Sequence, residues 1–128
     1  MTYLLDTHTL LWLIKAPALL SARVREIAAD GSSNLLLSVV TPWELAIKET
    51  NGKLNTGGLL DRFEQLTSHA GYTILETTVR QAIRAGRLPT HHKDPFDRLL
   101  AAQALDLHLP LISRDNIFDV YGVKRIWQ

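Results

Sequence analysis

The run Leu35 to Val40, LLLSVV, constrains this chain more than any other stretch. A strand with one wet face alternates apolar and polar residues, whereas a strand covered by helices on both faces stays apolar throughout. LLLSVV is of the second kind and predicts a strand inside a helix-covered parallel sheet. Thr2 to Leu5, Tyr72 to Leu75 and Leu109 to Ser113 are further short apolar, β-rich runs, and Val123, Ile126 and Trp127 mark a last one. Helical spacing fills the intervals. It runs from Thr7 to Ile14, from the cap residue Ser21 to Asp30-Gly31, from Thr41 to Thr50 and from Leu59 to Ala70. Strands alternating with helices give an α/β fold, here a three-layer sandwich with a mainly parallel central sheet flanked by helices, its crossovers right-handed. No shift of composition divides the chain, which reads as a single domain over residues 1–128.

Two helix starts carry acids. In His91 to Ala104, HHKDPFDRLLAAQA, Pro95 takes the first helical position, Asp94 fits the N-cap before it, and Asp97 falls in the first turn. Behind them Phe96, Leu99, Leu100, Ala104 and Leu107 recur at helical spacing and are expected to bury one face. Thr41-Pro42-Trp43-Glu44 has the capping-box form, in which the Glu44 carboxylate would accept a bond from the cap residue's backbone. Glu44 therefore has a purely structural reading beside any chemical one.

The chain contains no cysteine, which excludes disulfides, thiolate zinc sites and cysteine nucleophiles and suits a reducing cytoplasm. Of five histidines, His91 and His92 are adjacent and His8, His69 and His108 lie far apart, so no zinc-like spacing exists. The apolar start MTYLLDTHTLLWLIKAP has Asp6 in its middle and no basic leader, so neither a signal peptide nor a membrane span is expected. A net charge of +1 does not by itself indicate a nucleic-acid partner. Its distribution is more telling. From Thr77 to Lys93 there is no acid, while Arg80, Arg84, Arg87, Lys93 and two histidines accumulate. The three arginines share a helical face, which is either simply solvated or a stripe for phosphates or a protein partner.

Topology draws the acids together. Asp6 and Asp115 stand just past the ends of strands, and Glu44 and Asp97 lie in the first turns of helices. In an open parallel sheet these positions share the carboxyl edge, where such sheets bind ligands. Four carboxylates gathered there repel one another unless cations neutralise them, and an oxygen-only set suits Mg²⁺ or Mn²⁺ better than Zn²⁺. A site of that kind binds phosphates and activates water for in-line attack at phosphorus.

With these residues the chain resembles the PIN-domain ribonucleases, and more closely the VapC-type toxins of bacterial toxin–antitoxin pairs. The resemblance is carried in order by YLLDTHTLLW, SVVTPWELAIK, HHKDPFDRLLAAQA and LPLISRDNIFDVYG, and covers essentially the whole chain. It implies a PIN-like sandwich, cleavage of RNA dependent on Mg²⁺ or Mn²⁺, a homodimer and inhibition by a VapB-type antitoxin in the cytoplasm. It assigns catalysis to Asp6, Glu44, Asp97 and Asp115. In this scheme Asp6 and Asp97 ligate the metal directly, Asp115 directly or through water, and Glu44 ligates it or positions the attacking water. Asp94 is an extra carboxylate beside the metal, and Asp119 a surface residue. Ser113 takes the small-hydroxyl position two residues before the last acid. Together with Arg80, Arg84, Arg87 and Lys93 it is an expected substrate contact.

Two rivals compete with this reading. A phosphatase with an aspartyl nucleophile usually has a second acid two residues after the first, where this chain has His8. A non-catalytic RNA-binding or interaction module with the same fold would gain nothing from four uncompensated negative charges. Metal-activated water needs no 2′-hydroxyl, so the choice of RNA over DNA rests on the resemblance alone.

Overall fold

Five parallel strands form the sheet around which the chain is wound, in a computed structural model that describes all 128 residues. They are β1 (Thr2–Leu5), β2 (Asn34–Ser38), β3 (Thr73–Leu75), β4 (Leu111–Ile112) and β5 (Arg125–Ile126), arranged in the order β3-β2-β1-β4-β5. Every adjacent pair is parallel, so the sheet is parallel throughout rather than mainly so. Between them lie α1 (Thr7–Lys15), α2 (Ala22–Ala29), α3 (Val40–Thr50), α4 (Phe63–His69), α5 (Val79–Arg87) and α6 (Pro95–Asp106). No helix is long and apolar enough to cross a membrane.

The pleat explains the unbroken apolar runs. Successive strand residues point to opposite faces, and here each face has its own core. Tyr3, Leu5, Leu35, Leu37 and Ile112 join Leu10, Val24, Phe63 and Trp127 in one cluster. Leu4 and Leu111 join Leu100, Ala101, Ala104, Phe118 and Val123 in the other. Leu4 lies opposite both Leu36 and Leu111, which centres β1 in the sheet.

Three local expectations are corrected by tertiary contacts. β2 ends at Ser38, whose hydroxyl accepts the Val40 N–H at 3.1 Å, so α3 begins at Val40 and not at a Thr41 cap. The buried face of α6 is made of Leu100, Ala101 and Ala104, which pack against Leu4 and Leu111 of the sheet. Phe96 packs edge-on against Trp43 with ring centroids 4.9 Å apart, and Leu107 is exposed at the helix end.

Candidate metal centre

The strand order reverses between β1 and β4, and the crevice above that switch is where open parallel sheets take ligands. Asp6 follows β1 directly. Its Oδ1 accepts the Thr9 N–H at 2.8 Å, capping α1, and its Oδ2 accepts the Ser113 hydroxyl. Ser113 follows β4, is completely buried, and also accepts the Asp115 N–H at 3.0 Å. Ser113 thus ties Asp6 to the Asp115 turn, and its complete burial leaves no exposed hydroxyl for a substrate, which corrects its expected role. Asp115 itself is exposed, and its Oδ1 accepts the Ile117 N–H at 3.0 Å. Asp6, His8, Trp12, Arg114, Asp115 and Asn116 line a cleft of about 370 Å³.

A second group of acids meets where α3 and α6 pack together. Glu44 is buried, but not as a capping-box residue. Its Oε1 accepts the Thr7 hydroxyl at 2.6 Å and its Oε2 accepts a proton of Lys48 Nζ at 2.6 Å, while Thr41 turns its hydroxyl toward Thr7. Glu44 therefore lies in the second turn of α3, joined through Thr7 to the neighbour of Asp6. Asp94 caps α6 as expected, its Oδ1 accepting the Phe96 and Asp97 N–H groups at 2.8 and 3.1 Å. Asp97 stands in the first turn, and its Oδ2 lies 2.8 Å from His92 Nε2.

The four acids share one edge of the sheet without forming one tight cluster. Donor atoms mutually within 4.8 Å come from His92, Asp94 and Asp97. Sequence position alone does not reveal that His92 joins this group of donors, because the loop that brings it to Asp97 has no periodic signal. The only hint is its place two residues before an acid-bearing helix cap.

Charge at this mouth is undercompensated, and that is the test of whether a cation fits. Burial, above all, pushes the Asp97 carboxyl from 3.8 up to about 6, against the lowering bond to His92, and the charges of Asp94 and Glu44 push it further in the same direction. Burial also raises the Asp6 carboxyl, although Ser113 and Thr9 donate to it. A divalent cation would reverse both effects, and carboxylate oxygens with one imidazole are donors that such ions accept. The residues present therefore fit the metal that the chemistry calls for.

The basic stripe lies on α5 as expected, with Arg80, Arg84 and Arg87 all exposed. Arg80 pairs with Asp106 (Nε to Oδ1 3.1 Å), and Arg98 donates to the carbonyls of Ala85 and Leu88 at 2.9 and 2.8 Å. α5 thus runs antiparallel to α6, which puts Arg87 near the acidic mouth and Arg80 about 10 Å further along the helix pair. Val79 and Ile83 lie exposed among the arginines. Lys93 is exposed beside His92, and Asp119 is a surface residue paired with Arg125 at 2.9 Å.

Known structures share this architecture. The chain matches VapBC-1 from nontypeable Haemophilus influenzae at 22% identity over 98% of this chain and 97% of that one, with a TM-score of 0.67. VapBC2 from Rickettsia felis, bound to a promoter DNA fragment, matches at 15% identity over 100% of both chains with a TM-score of 0.70. FitAcB from Neisseria gonorrhoeae matches at 20% identity over 98% and 96%, with a TM-score of 0.66. At these identities the likeness is one of fold. No curated protein sequence matches the chain. The family model for the PIN domain, however, matches residues 3–124, and the chain therefore belongs to the PIN-domain family.

Proposed function

We propose that this chain is the nuclease toxin of a toxin–antitoxin pair, a single-domain endoribonuclease that uses Mg²⁺ or Mn²⁺. In this reading it works as a homodimer in the cytoplasm and is silenced by a VapB-type antitoxin. The observation that carries the reading is the gathering of acids at one sheet edge: the charge of Glu44 helps raise the Asp97 carboxyl, and Glu44 bonds Thr7, the chain neighbour of Asp6, which Ser113 ties to the Asp115 turn. Among the structures of similar fold, VapBC-5 from Mycobacterium tuberculosis is described as a member of the VapBC family of toxin–antitoxin systems, which supports the assignment.

Asp6, Asp94, Asp97, Asp115 and Glu44 are the residues that would hold the cation. When bound, such an ion polarises a phosphate oxygen and lowers the pKa of a water molecule to near neutrality. The protein's share is orientation. Thr7 and Lys48 each engage one oxygen of Glu44 and so fix the orientation of this carboxylate, which would either join the cation or position the attacking water. Arg87 and Lys93, exposed near the mouth, would hold flanking phosphates.

The test compares end-labelled single-stranded RNA with DNA of the same sequence, each incubated with the purified chain and Mn²⁺ or Mg²⁺. Cutting of RNA alone is expected. RNA that is bound but never cut would favour a non-catalytic RNA-binding module, and RNA neither bound nor cut would overturn the reading.

A further inference from the structure

We propose that His92 is a nitrogen ligand of the divalent cation, forming with Asp94 and Asp97 a mixed set that favours Mn²⁺ over Mg²⁺. The proposal rests on the metal-dependent reading above. His92 Nε2 stands 2.8 Å from Asp97 Oδ2, within a group of donors no more than 4.8 Å apart. Without a cation the two atoms share a hydrogen bond; adjacent ligands of an octahedral ion with bonds of about 2.1 Å are about 3 Å apart, so a cation taking the place of the shared proton finds both donors at nearly the right spacing. Asp94 uses Oδ1 to cap α6 and leaves Oδ2 for the ion.

The loop behind the ring is pinned on both sides of His92. Its N–H donates to the Tyr121 hydroxyl at 2.9 Å, and its carbonyl accepts from Arg98 Nη1 at 3.1 Å. Arg98 also gathers the carbonyls of Ala85, Leu88 and Pro89, and Tyr121 donates to Pro89 at 3.0 Å. Outer bonds of this kind orient a ligand before the metal arrives. His91, by contrast, is exposed and turned toward the Tyr121 ring, 5.9 Å between centroids. One imidazole among carboxylates shifts preference toward first-row transition cations, because Mg²⁺ binds almost wholly through oxygen.

Electron spin-echo spectroscopy of Mn²⁺ added to the full chain tests this without any cleavage assay. Nitrogen-14 modulations from a directly bound imidazole are expected in the wild type, in His91→Gln and in His8→Gln, and they should vanish in His92→Gln. Free-Mn²⁺ titration should show affinity falling about tenfold or more in His92→Gln, while Mg²⁺ affinity changes less than about threefold. Bound Mn²⁺ with no nitrogen modulation in the wild type would overturn the role of His92 and leave the metal reading standing. No Mn²⁺ binding at all would overturn the metal reading and this inference with it. Should His92→Gln fail to fold, His69→Gln and His108→Gln join the two controls, since modulations that survive all four belong to His92, the one histidine left of five. Labelling the histidines with nitrogen-15 then shows that the coupled nitrogen is a histidine's.

Discussion

Burial, with Asp94 and Glu44 as neighbours, holds the Asp97 carboxyl at about 6 rather than 3.8, and folding therefore takes up a proton between those pH values. In that window the unfolded chain has lost the proton and the folded chain has kept it. This group's contribution to stability is thus present at acid pH, falls as pH rises through the window, and stays lost above it. The displacement corresponds to about 3 kcal/mol at most. Asp6, raised by burial as well, acts in the same direction. In EDTA, Asp97→Asn should therefore melt above the wild type at pH 7 and show a flatter dependence of Tm between pH 4.5 and 7, while losing cleavage. Equal pH slopes would mean that Asp97 ionises freely. Asp94→Asn keeps a side chain that caps nearly as well, so it should cost less than about 0.5 kcal/mol and retain part of the cleavage activity. Glu44→Gln separates packing from chemistry in the same way. The Thr7 bond can persist and the Lys48 ion pair cannot, so a stability cost of about 1 kcal/mol or less is expected beside a loss of at least about 100-fold in cleavage rate. A Glu44→Gln variant with wild-type cleavage would reduce Glu44 to a structural acid.

At the scale of elements, α6 connects core and site, and Arg98 is its fastening. Its guanidinium spans carbonyls from the end of α5 and from the loop that follows. Lysine has one ammonium where arginine has a fork of donors. Arg98→Lys should accordingly destabilise the fold by about 1.5 to 3 kcal/mol and speed amide exchange first in residues 85–93. Uniform exchange across the molecule would show that Arg98 holds nothing local. The same region shows what a sequence can and cannot reveal. The α6 start was legible because Asp94 and Pro95 act on their own backbone neighbours, and the α5 and β1 positions followed from periodicity. The role of Glu44 was not, because Thr41, a cap by local pattern, faces Thr7 in another element. His92 reaches Asp97 only through a loop pinned by Tyr121, 29 residues away, and no local rule anticipates that bond. Likewise Ser113 was visible as a small hydroxyl near an acid, but its complete burial depends on the packing of β4 against β1.

For the whole molecule, a fully parallel sheet places every strand's carboxyl end on one edge, and that is why acids scattered from Asp6 to Asp115 become neighbours. The basic face of α5 supplies the opposite charge. Arg80 is paired with Asp106, so reversing it would set two acids together and disturb the fold. Arg84 and Arg87 can be reversed without that cost. Changing both to Glu should weaken single-stranded RNA binding in EDTA and lower the slope of log affinity against log salt by about 1.4, the value for two phosphate contacts. An unchanged slope would assign this face to a protein partner. Whether the edge acids act by holding a divalent cation is tested most directly by following RNA cleavage by the wild-type chain while the cation is removed with EDTA and then returned as Mn²⁺ or Mg²⁺. Cleavage should stop on chelation and recover in proportion to the cation restored. RNA cut at an undiminished rate in excess EDTA would contradict that role for the acids.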